Sequence, residues 1–459
     1  MKFNEYKHLD LTKIAEEILA FWKAANIFEQ SIASREGAIP FVFFEGPPSA
    51  NGVPGIHHVM ARSIKDIFCR YKTQKGFQVK RKAGWDTHGL PVELGVEKEL
   101  GITKEDIGKK ISVEDYNKAC KEAVMRYTDI WNDLTEKIGY WVDMEDPYIT
   151  YKPKYMESVW WLLKQLYNKQ LLYKGYTIQP YSPKAGTGLS SHELNQPGCY
   201  RDVSDTTVVA QFKVKALAAA ASKALGNPTA PIHILAWTTT PWTLPSNTAL
   251  AVGKEIEYVL VRTFNQYTFK PITIIIGKPL LAKQFGKKFV EGDAEALAAY
   301  TPESKTIPYQ VLGECKGADL VGTAYEQLIP WCAPAENTDQ AFRVIAGDFV
   351  TTDDGTGIVH IAPTFGADDA RVAKEYGVPP MLVKDAHGNL IPLVDLQGKF
   401  IEGHNIPEAF AGKYIKNEYY DAGQAPEKSW DVSLAILLKE ENKAFKVEKY
   451  VHSYPHCWR

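Results

Sequence analysis

Several things are scarce in this sequence, and each scarcity excludes a class. Six cysteines stand in 459 residues (Cys69, Cys120, Cys199, Cys315, Cys332 and Cys457), and no two form a CxxC pair. A disulfide scaffold is excluded at this length, and the usage suits a reducing, cytoplasmic setting. No apolar run approaches the ~20 residues of a membrane-spanning helix, and the alanine-rich stretch from Ala216 is broken by Ser222 and Lys223. No membrane partner is expected. The first ten residues lack the apolar core of a secretory signal. Excess charge is scarce too, since 53 Lys and Arg against 55 Asp and Glu leave a net charge of -2. A nucleic-acid partner must therefore be argued from local features, because phosphate affinity comes from clustered basic groups. The local cluster Lys72, Lys75, Lys80, Arg81 and Lys82 reads by default as a solvated face. Internal repeats and low-complexity linkers are absent.

What is present is an ordinary folded balance, 45% hydrophobic and 24% charged, which argues against disorder. The length suggests about two to four domains. Leu11, Ile14, Ile18, Leu19 and Trp22 recur at helical spacing, with Asp10 placed to cap the helix. Ile39 to Phe44 reads as a buried strand, Gly46 to Gly55 as a loop, and a helix follows from about His58. Strand, glycine-rich loop and helix open a nucleotide-binding α/β unit. Phe77 to Lys82 reads as the next strand, and helical patterns continue from about Ile111 to Tyr173. The texture changes near Tyr176. Strands are then expected at Thr206–Phe212, Ile232–Trp237, Tyr258–Arg262, Ile272–Ile276 and Phe342–Ile345. The expected domains are 1–198, a β-rich 199–401, and a smaller 402–459.

Four blocks carry chemistry. The first is Glu45-Gly46-Pro47-Pro48-Ser49-Ala50-Asn51-Gly52 followed by Gly55-Ile56-His57-His58. Glycine lets backbone approach a nucleotide, and histidines at a helix start can donate to phosphates. Taken alone, such a loop is a turn and paired histidines are surface residues. The second block is Gly84-Trp85-Asp86-Thr87-His88-Gly89-Leu90-Pro91-Val92-Glu93, where Asp86 either pairs with a substrate ammonium or caps a helix. The third is Trp237-Thr238-Thr239-Thr240-Pro241-Trp242-Thr243-Leu244-Pro245-Ser246-Asn247. Strand alternation would set Thr239 opposite Thr238 and Thr240. The fourth runs from Asp354-Gly355-Thr356-Gly357 through His360 to Asp368-Asp369, a tight turn, a strand and a loop.

In this order and spacing the four blocks resemble the class I aminoacyl-tRNA synthetases, specifically the isoleucyl-tRNA synthetases, over essentially the whole chain. The resemblance implies the first half of a Rossmann-like α/β catalytic domain with an inserted β-rich editing domain. It implies ATP-dependent activation of isoleucine, transfer to isoleucine tRNA, and hydrolysis of wrongly made valyl-tRNA. Pro48, Ser49, Asn51, Gly52, Gly55, His57 and His58 would hold ATP, used with Mg²⁺. Gly46 and Pro47 would line the amino-acid pocket, and Asp86 would bind the α-amino group. In the editing domain Thr238, Thr239, Thr240 and Asn247 would surround the ester and terminal ribose, His360 the side-chain pocket, and Asp369 the ammonium. Two sites are needed because isoleucine exceeds valine by one methylene, worth about 0.8 kcal/mol. A shaped pocket reaches about 1–3 kcal/mol, roughly 10–200-fold, a range for which isoleucine against valine is itself a standard example.

The sequence departs from the family pattern in three places. The usual His-x-Gly-His signature reads Gly55-Ile56-His57-His58. Ser182-Pro183-Lys184-Ala185 replaces a zinc-binding CxxC, so no zinc is expected there, and any zinc would be held downstream of this chain. A KMSKS motif and an anticodon-binding domain are missing, which points to an N-terminal fragment. A monomer is expected. The competing readings are a free-standing editing hydrolase and a tRNA-binding module without chemistry. On the synthetase reading this chain alone forms isoleucyl-adenylate at a negligible rate, because no KMSKS lysine stabilises the transferring phosphates. Isoleucine-dependent exchange of pyrophosphate into ATP measures this, and robust exchange would refute it.

Overall fold

Aromatic and β-branched residues pack well on a pleated surface, and Pro40–Phe44 forms strand β1 where such residues cluster. The computed structural model describes residues 8–175 and 177–457; Tyr176, residues 1–7 and residues 458–459 lie outside the described residues. The expected change of texture at Tyr176 and the start of the polar N-terminal stretch therefore fall outside them. The chain divides into two units, Met1–Gly175 and Tyr176–Arg459.

The first unit is α/β. Helices α1 (Leu11–Ala24) and α2 (Ile27–Ala33) precede β1. Asp10 caps α1 as expected, its carboxylate accepting from Lys13 N at 3.1 Å. After β1 come α3 (Ile56–Gln74), β2 (Gln78–Trp85), α4 (Leu90–Leu100), α5 (Val113–Val124) and α6 (Thr128–Lys137). Strand β3 (Asp143–Ile149) and α7 (Pro153–Asn168) complete the unit. The three strands form one parallel sheet in the order β1-β2-β3. Parallel neighbours need crossover connections, and α3 supplies the first. The loop after β1 and the block after β2 thus emerge at the same, carboxyl edge of the sheet. Strand β3 interrupts the helical patterns expected from about Ile111 to Tyr173. Pro147 cannot donate within a helix, and Gly84, opposite Tyr148 in the register, leaves the space the Tyr148 ring fills.

The second unit is dominated by one sheet. The unit's strands are β4 (Tyr181–Ser182), β5 (Thr187–Gly188), β6 (Tyr200–Ala216), β7 (Ile232–Thr238), β8 (Ala249–Val252), β9 (Glu257–Phe264) and β10 (Pro271–Gly277). They continue as β11 (Phe289–Glu291), β12 (Ile307–Lys316), β13 (Ala324–Tyr325), β14 (Arg343–Ala346) and β15 (Ile358–Ile361). The last are β16 (Leu382–Lys384), β17 (Leu390–Pro392) and β18 (Ala444–Pro455). Beside the dominant sheet, β4 pairs only with β5 and β16 only with β17 among the described residues. All five strands expected from the sequence are present with shifted ends. The order is β11-β12-β9-β10-β7-β15-β8-β14-β13-β6-β18, and β6 also pairs with β7. That extra pairing closes β7, β15, β8, β14, β13 and β6 into a ring. Strand alternation sorts the core: Val208, Ala210 and Phe212 of β6 join Ile232, Ile234 and Ala236 of β7 on one face, while Val209 and Leu235 pack on the other.

The Asp354–Gly357 turn is the tight turn expected. Gly355 and Gly357 adopt φ +73° and +72°, a region that favours glycine. Tyr258, buried in β9, holds this turn: its hydroxyl donates to Gly357 O at 2.6 Å and accepts from Gly253 N at 3.1 Å. Tyr258→Phe leaves both backbone groups unsatisfied and is expected to cost about 1–3 kcal/mol. The midpoint of urea unfolding measures this, and an unchanged midpoint would contradict it.

Candidate functional site

The loop after β1 is fixed through three alternate carbonyls. Pro48 O accepts from Asp86 N at 2.9 Å, Ala50 O from Tyr127 N at 3.0 Å, and Gly52 O from Trp131 Nε1 at 2.9 Å. The chain turns at Ala50–Asn51 and bends at Gly52, and these three bonds hold the loop as a fixed ribbon of backbone. Its root is Glu45, 3% exposed, whose carboxylate meets Lys65 Nζ at 2.6 Å and accepts from the Tyr140 hydroxyl. The Glu45 carbonyl accepts from the Tyr148 hydroxyl. Pro47, Pro48 and Ser49 are half-buried, and Ser49 Oγ donates to Asn51 Oδ1 at 2.9 Å.

The ribbon delivers the chain to the N-terminus of α3. Gly55 N donates to His58 Nδ1 at 2.9 Å, which places the hydrogen of the neutral ring on Nε2. Burial lowers the pKa of His58, and the charges of His57, Arg62 and Lys65 lower it further. A neutral imidazole donor at a helix N-terminus suits a phosphate. His57 lies 3.8 Å from His58 between ring centroids, and His58 meets Trp131 edge-on at 4.7 Å. The Arg62 guanidinium sits over the Trp131 ring at 5.0 Å. A Cβ added at Gly55 would come 2.9 Å from His57 Cε1, so the exchanged signature residues share one space.

Asp86 is exposed and is not the cap of α4, which begins at Leu90 after Gly89. Its carboxylate accepts a long bond from His88 N, 3.4 Å. A cavity of about 170 Å³ in this unit is lined by Glu45, Arg62 and Trp85 among others, and by none of the residues expected to bind ATP or amino acid. The candidate site is therefore the surface formed by ribbon, α3 start and Asp86. Glu45, Arg62 and Trp131 were not expected, because their partners lie far along the chain.

In the second unit β7 ends at Thr238, which corrects the reading of three threonines in a strand; Pro241 opens a 3₁₀ turn, Pro241–Ser246, instead. Thr238 and Thr240 nonetheless fall together, with Thr240 N donating to Thr238 Oγ1 at 3.0 Å. Thr239 is half-exposed. Asn247 and His360 are buried against each other, Asn247 Nδ2 standing 3.5 Å from His360 Nδ1. His360 Nε2 lies 2.9 Å from Thr243 Oγ1, and Tyr325 donates to Asn247 Oδ1 at 2.7 Å. Burial alone lowers the His360 pKa to about 4. No local sequence pattern marks Tyr325, and Thr243 stands in the threonine-rich strip without a role assigned from sequence.

Asp369 stands in the first turn of helix Ala367–Glu375. Ala362 N, two residues beyond His360, donates to its Oδ2 at 2.8 Å, and Gly366 leaves room for the carboxylate. Burial raises its pKa, and among the described residues no cation lies within ion-pair distance. An anion so placed is matched by an ammonium. Behind the threonine strip, Trp242 N donates to Asp431 Oδ1 at 2.8 Å. Burial raises Asp431 to about 6. Lys416 Nζ lies 3.5 Å from Asp431 and 3.2 Å from Asp205. Ser182 is buried and Ser182 Oγ accepts from Ala185 N at 3.3 Å. No group of three or more His, Cys, Asp or Glu able to hold a metal occurs among the described residues, and no described helix is long and apolar enough to cross a membrane.

Residues 17–425 match the family described as tRNA synthetases class I (I, L, M and V). The chain is 60% identical, over all its length and 40% of the relative's, to an isoleucine–tRNA ligase of Porphyromonas gingivalis. It is 60% identical to that of Cytophaga hutchinsonii, over all of this chain and 41% of the other. It is 44% identical to that of Clostridium tetani, over 99% and 38%. The chain thus spans about two fifths of the length of the curated relatives it matches. Likeness to solved structures is slight: "The crystal structure of GlLeuRS-CP1" gives TM-score 0.34 at 16% identity, over 53% of this chain and 99% of that one.

The buried imidazole sets a pH dependence. Below its ordinary 6.5 and down to about 4, the unfolded chain binds a proton that native His360 refuses. Stability therefore falls as pH drops through that window. Asp431, raised to about 6, acts in the opposite sense. His360→Gln isolates the histidine: between pH 6.5 and 4.5 the variant should lose roughly 1–3 kcal/mol less than the parent. Chemical denaturation at each pH measures this, and parallel slopes would sink it.

Proposed function

Because the chain belongs to the class I tRNA synthetases, we propose that it carries two sites of an isoleucine–tRNA ligase, one for activation and one for hydrolytic editing. Activation joins the isoleucine carboxylate to the α-phosphorus of ATP, breaks the bond to pyrophosphate, and yields the adenylate. The acyl group then passes to the 3′ adenosine of the tRNA as AMP leaves. In this reading the held ribbon from Gly46 to Gly52 accepts adenosine and side chain, His58 Nε2–H and the α3 start face the phosphates, and Asp86 takes the α-ammonium. Mg²⁺ would be held mainly by the phosphates and its own waters rather than by a protein cage, and would supply charge neutralisation. The protein's own contribution is positioning and fixed dipoles.

The second site, by this reading, hydrolyses valyl-tRNA: water adds to the ester carbonyl, the bond to the ribose oxygen breaks, and valine and free tRNA leave. Residues 199–401 carry it. Asp369 holds the ammonium, Thr238 to Thr240 and Asn247 surround the ester and ribose, and His360 walls the side-chain pocket. The observation that carries this half is Asp369, a half-buried carboxylate that accepts from Ala362 N and is paired with no described cation. Partners under this proposal are isoleucine, ATP and isoleucine tRNA, and the setting is cytoplasmic.

Asp369→Ala tests it. The variant should lose valyl-tRNA deacylation by roughly ten- to a hundredfold, the range for removing a bond to a charged group. Its thermal unfolding midpoint should fall modestly, because the buried Ala362 N–H loses its acceptor. Deacylation that survives Asp369→Ala would overturn the assignment.

A further inference from the structure

His360 is bonded through both ring nitrogens, and the directions of those bonds can be worked out from their ends. At one end Thr240 O, which can only accept, takes the Thr243 hydroxyl at 2.8 Å. Thr243 has a single hydrogen, so its Oγ1 must accept from His360 Nε2, 2.9 Å away. At the other end Ala249 O, again only an acceptor, takes Asn247 Nδ2 at 2.8 Å. That fixes the amide with nitrogen towards His360 Nδ1 at 3.5 Å, and Oδ1 towards the donating Tyr325 hydroxyl at 2.7 Å. Nδ1 therefore carries the lone pair and Nε2 the hydrogen. Every step agrees, and two backbone carbonyls impose the polarity of the whole chain of bonds.

From this we infer that Thr243 and Tyr325 are positioning residues, which hold His360 as a neutral imidazole protonated at Nε2 with no nitrogen left to exchange protons with a substrate. His360 then discriminates by shape alone. The water that cleaves the ester must lose its proton to another group. Tyr325 is fully buried and packs edge-on to Phe212 at 5.4 Å, so its ring is fixed independently of its hydroxyl. The functional part of this inference rests on the hydrolytic reading above; the tautomer does not.

The experiment uses the 459-residue chain labelled with ¹⁵N-histidine. Nitrogen–proton correlation spectra distinguish the two neutral tautomers, and His360→Gln identifies the His360 signals. The parent should show a single Nε2–H form that does not titrate between about pH 5 and 8. Thr243→Val should disturb that signature and Thr243→Ser restore it. Tyr325→Phe, which keeps the ring, should shift the Nδ1 resonance. Deacylation of valyl-tRNA is measured on the same proteins. Thr243→Val should slow it by roughly ten- to a hundredfold, the kinetic equivalent of orphaning a buried polar group, and Thr243→Ser should recover it. A parent His360 with hydrogen on Nδ1, or one that titrates near neutrality, overturns the inference. So does a Thr243→Val protein with unaltered His360 signals. A parent that deacylates nothing removes the hydrolytic reading, and the spectra alone then decide the tautomer.

Discussion

The second unit depends on one long pairing. β18 lies antiparallel to β6 from Tyr200↔Pro455 to Ala210↔Ala444, and His452 meets Asp205 from 247 positions away at 3.1 Å. Closing so long a loop is entropically costly, and the return comes from apolar burial along β6 and from charges that satisfy one another at the seam. Lys416 sits between Asp205 and Asp431, nearly all of it out of solvent. Removing Lys416 would leave the buried Asp431 carboxylate without its cation. Because Asp431 also receives Trp242 N, the seam anchors the turn that follows the threonines. The threonine strip is thus held from behind by a pairing more than two hundred residues wide.

Both sites use backbone carbonyls as fixed references. In the first, Pro48, Ala50 and Gly52 each present a carbonyl to a donor from another element. In the second, Ala249 and Thr240 terminate a bond chain that runs through the imidazole. A carbonyl cannot reverse its role, so it imposes direction where hydroxyls, amides and imidazoles would accept either sense. Buried polar groups are costly unless satisfied, and here their satisfaction also dictates orientation.

How much could be read from sequence followed from how local each feature is. Asp10 as a cap, α3 after a glycine-rich loop, and the strands of the second unit rest on neighbours a few residues apart, and those readings agree with the fold. Strand β3 was missed because its apolar residues mimic helical spacing and its identity comes from Gly84 across the sheet. The threonines were read two residues too far into a strand, since Pro241 redirects the chain. Thr238, Thr240, Asn247 and His360 do converge, and Asp369 follows β15 closely. Tyr325, Asp431 and Trp131 were illegible: each acts through a partner at least tens of residues away, and no local pattern marks a buried tyrosine as a hydrogen-bond donor to an asparagine.

The shared space of Gly55 and His57 has a consequence for mutational paths. A side chain arriving at position 55 meets the His57 ring, which is exposed and able to swing aside. The fold tolerates that step, but the swing parts His57 from His58 and spoils the arrangement of imidazoles. The two positions are therefore epistatic in activity while nearly independent in stability. A lineage moving between Gly-x-His-His and His-x-Gly-His must vacate position 57 before filling position 55, or change both at once. The stepwise route passes through a protein that folds normally while its helix start carries one imidazole instead of two, so on the proposed function that route is opposed by selection on activity alone.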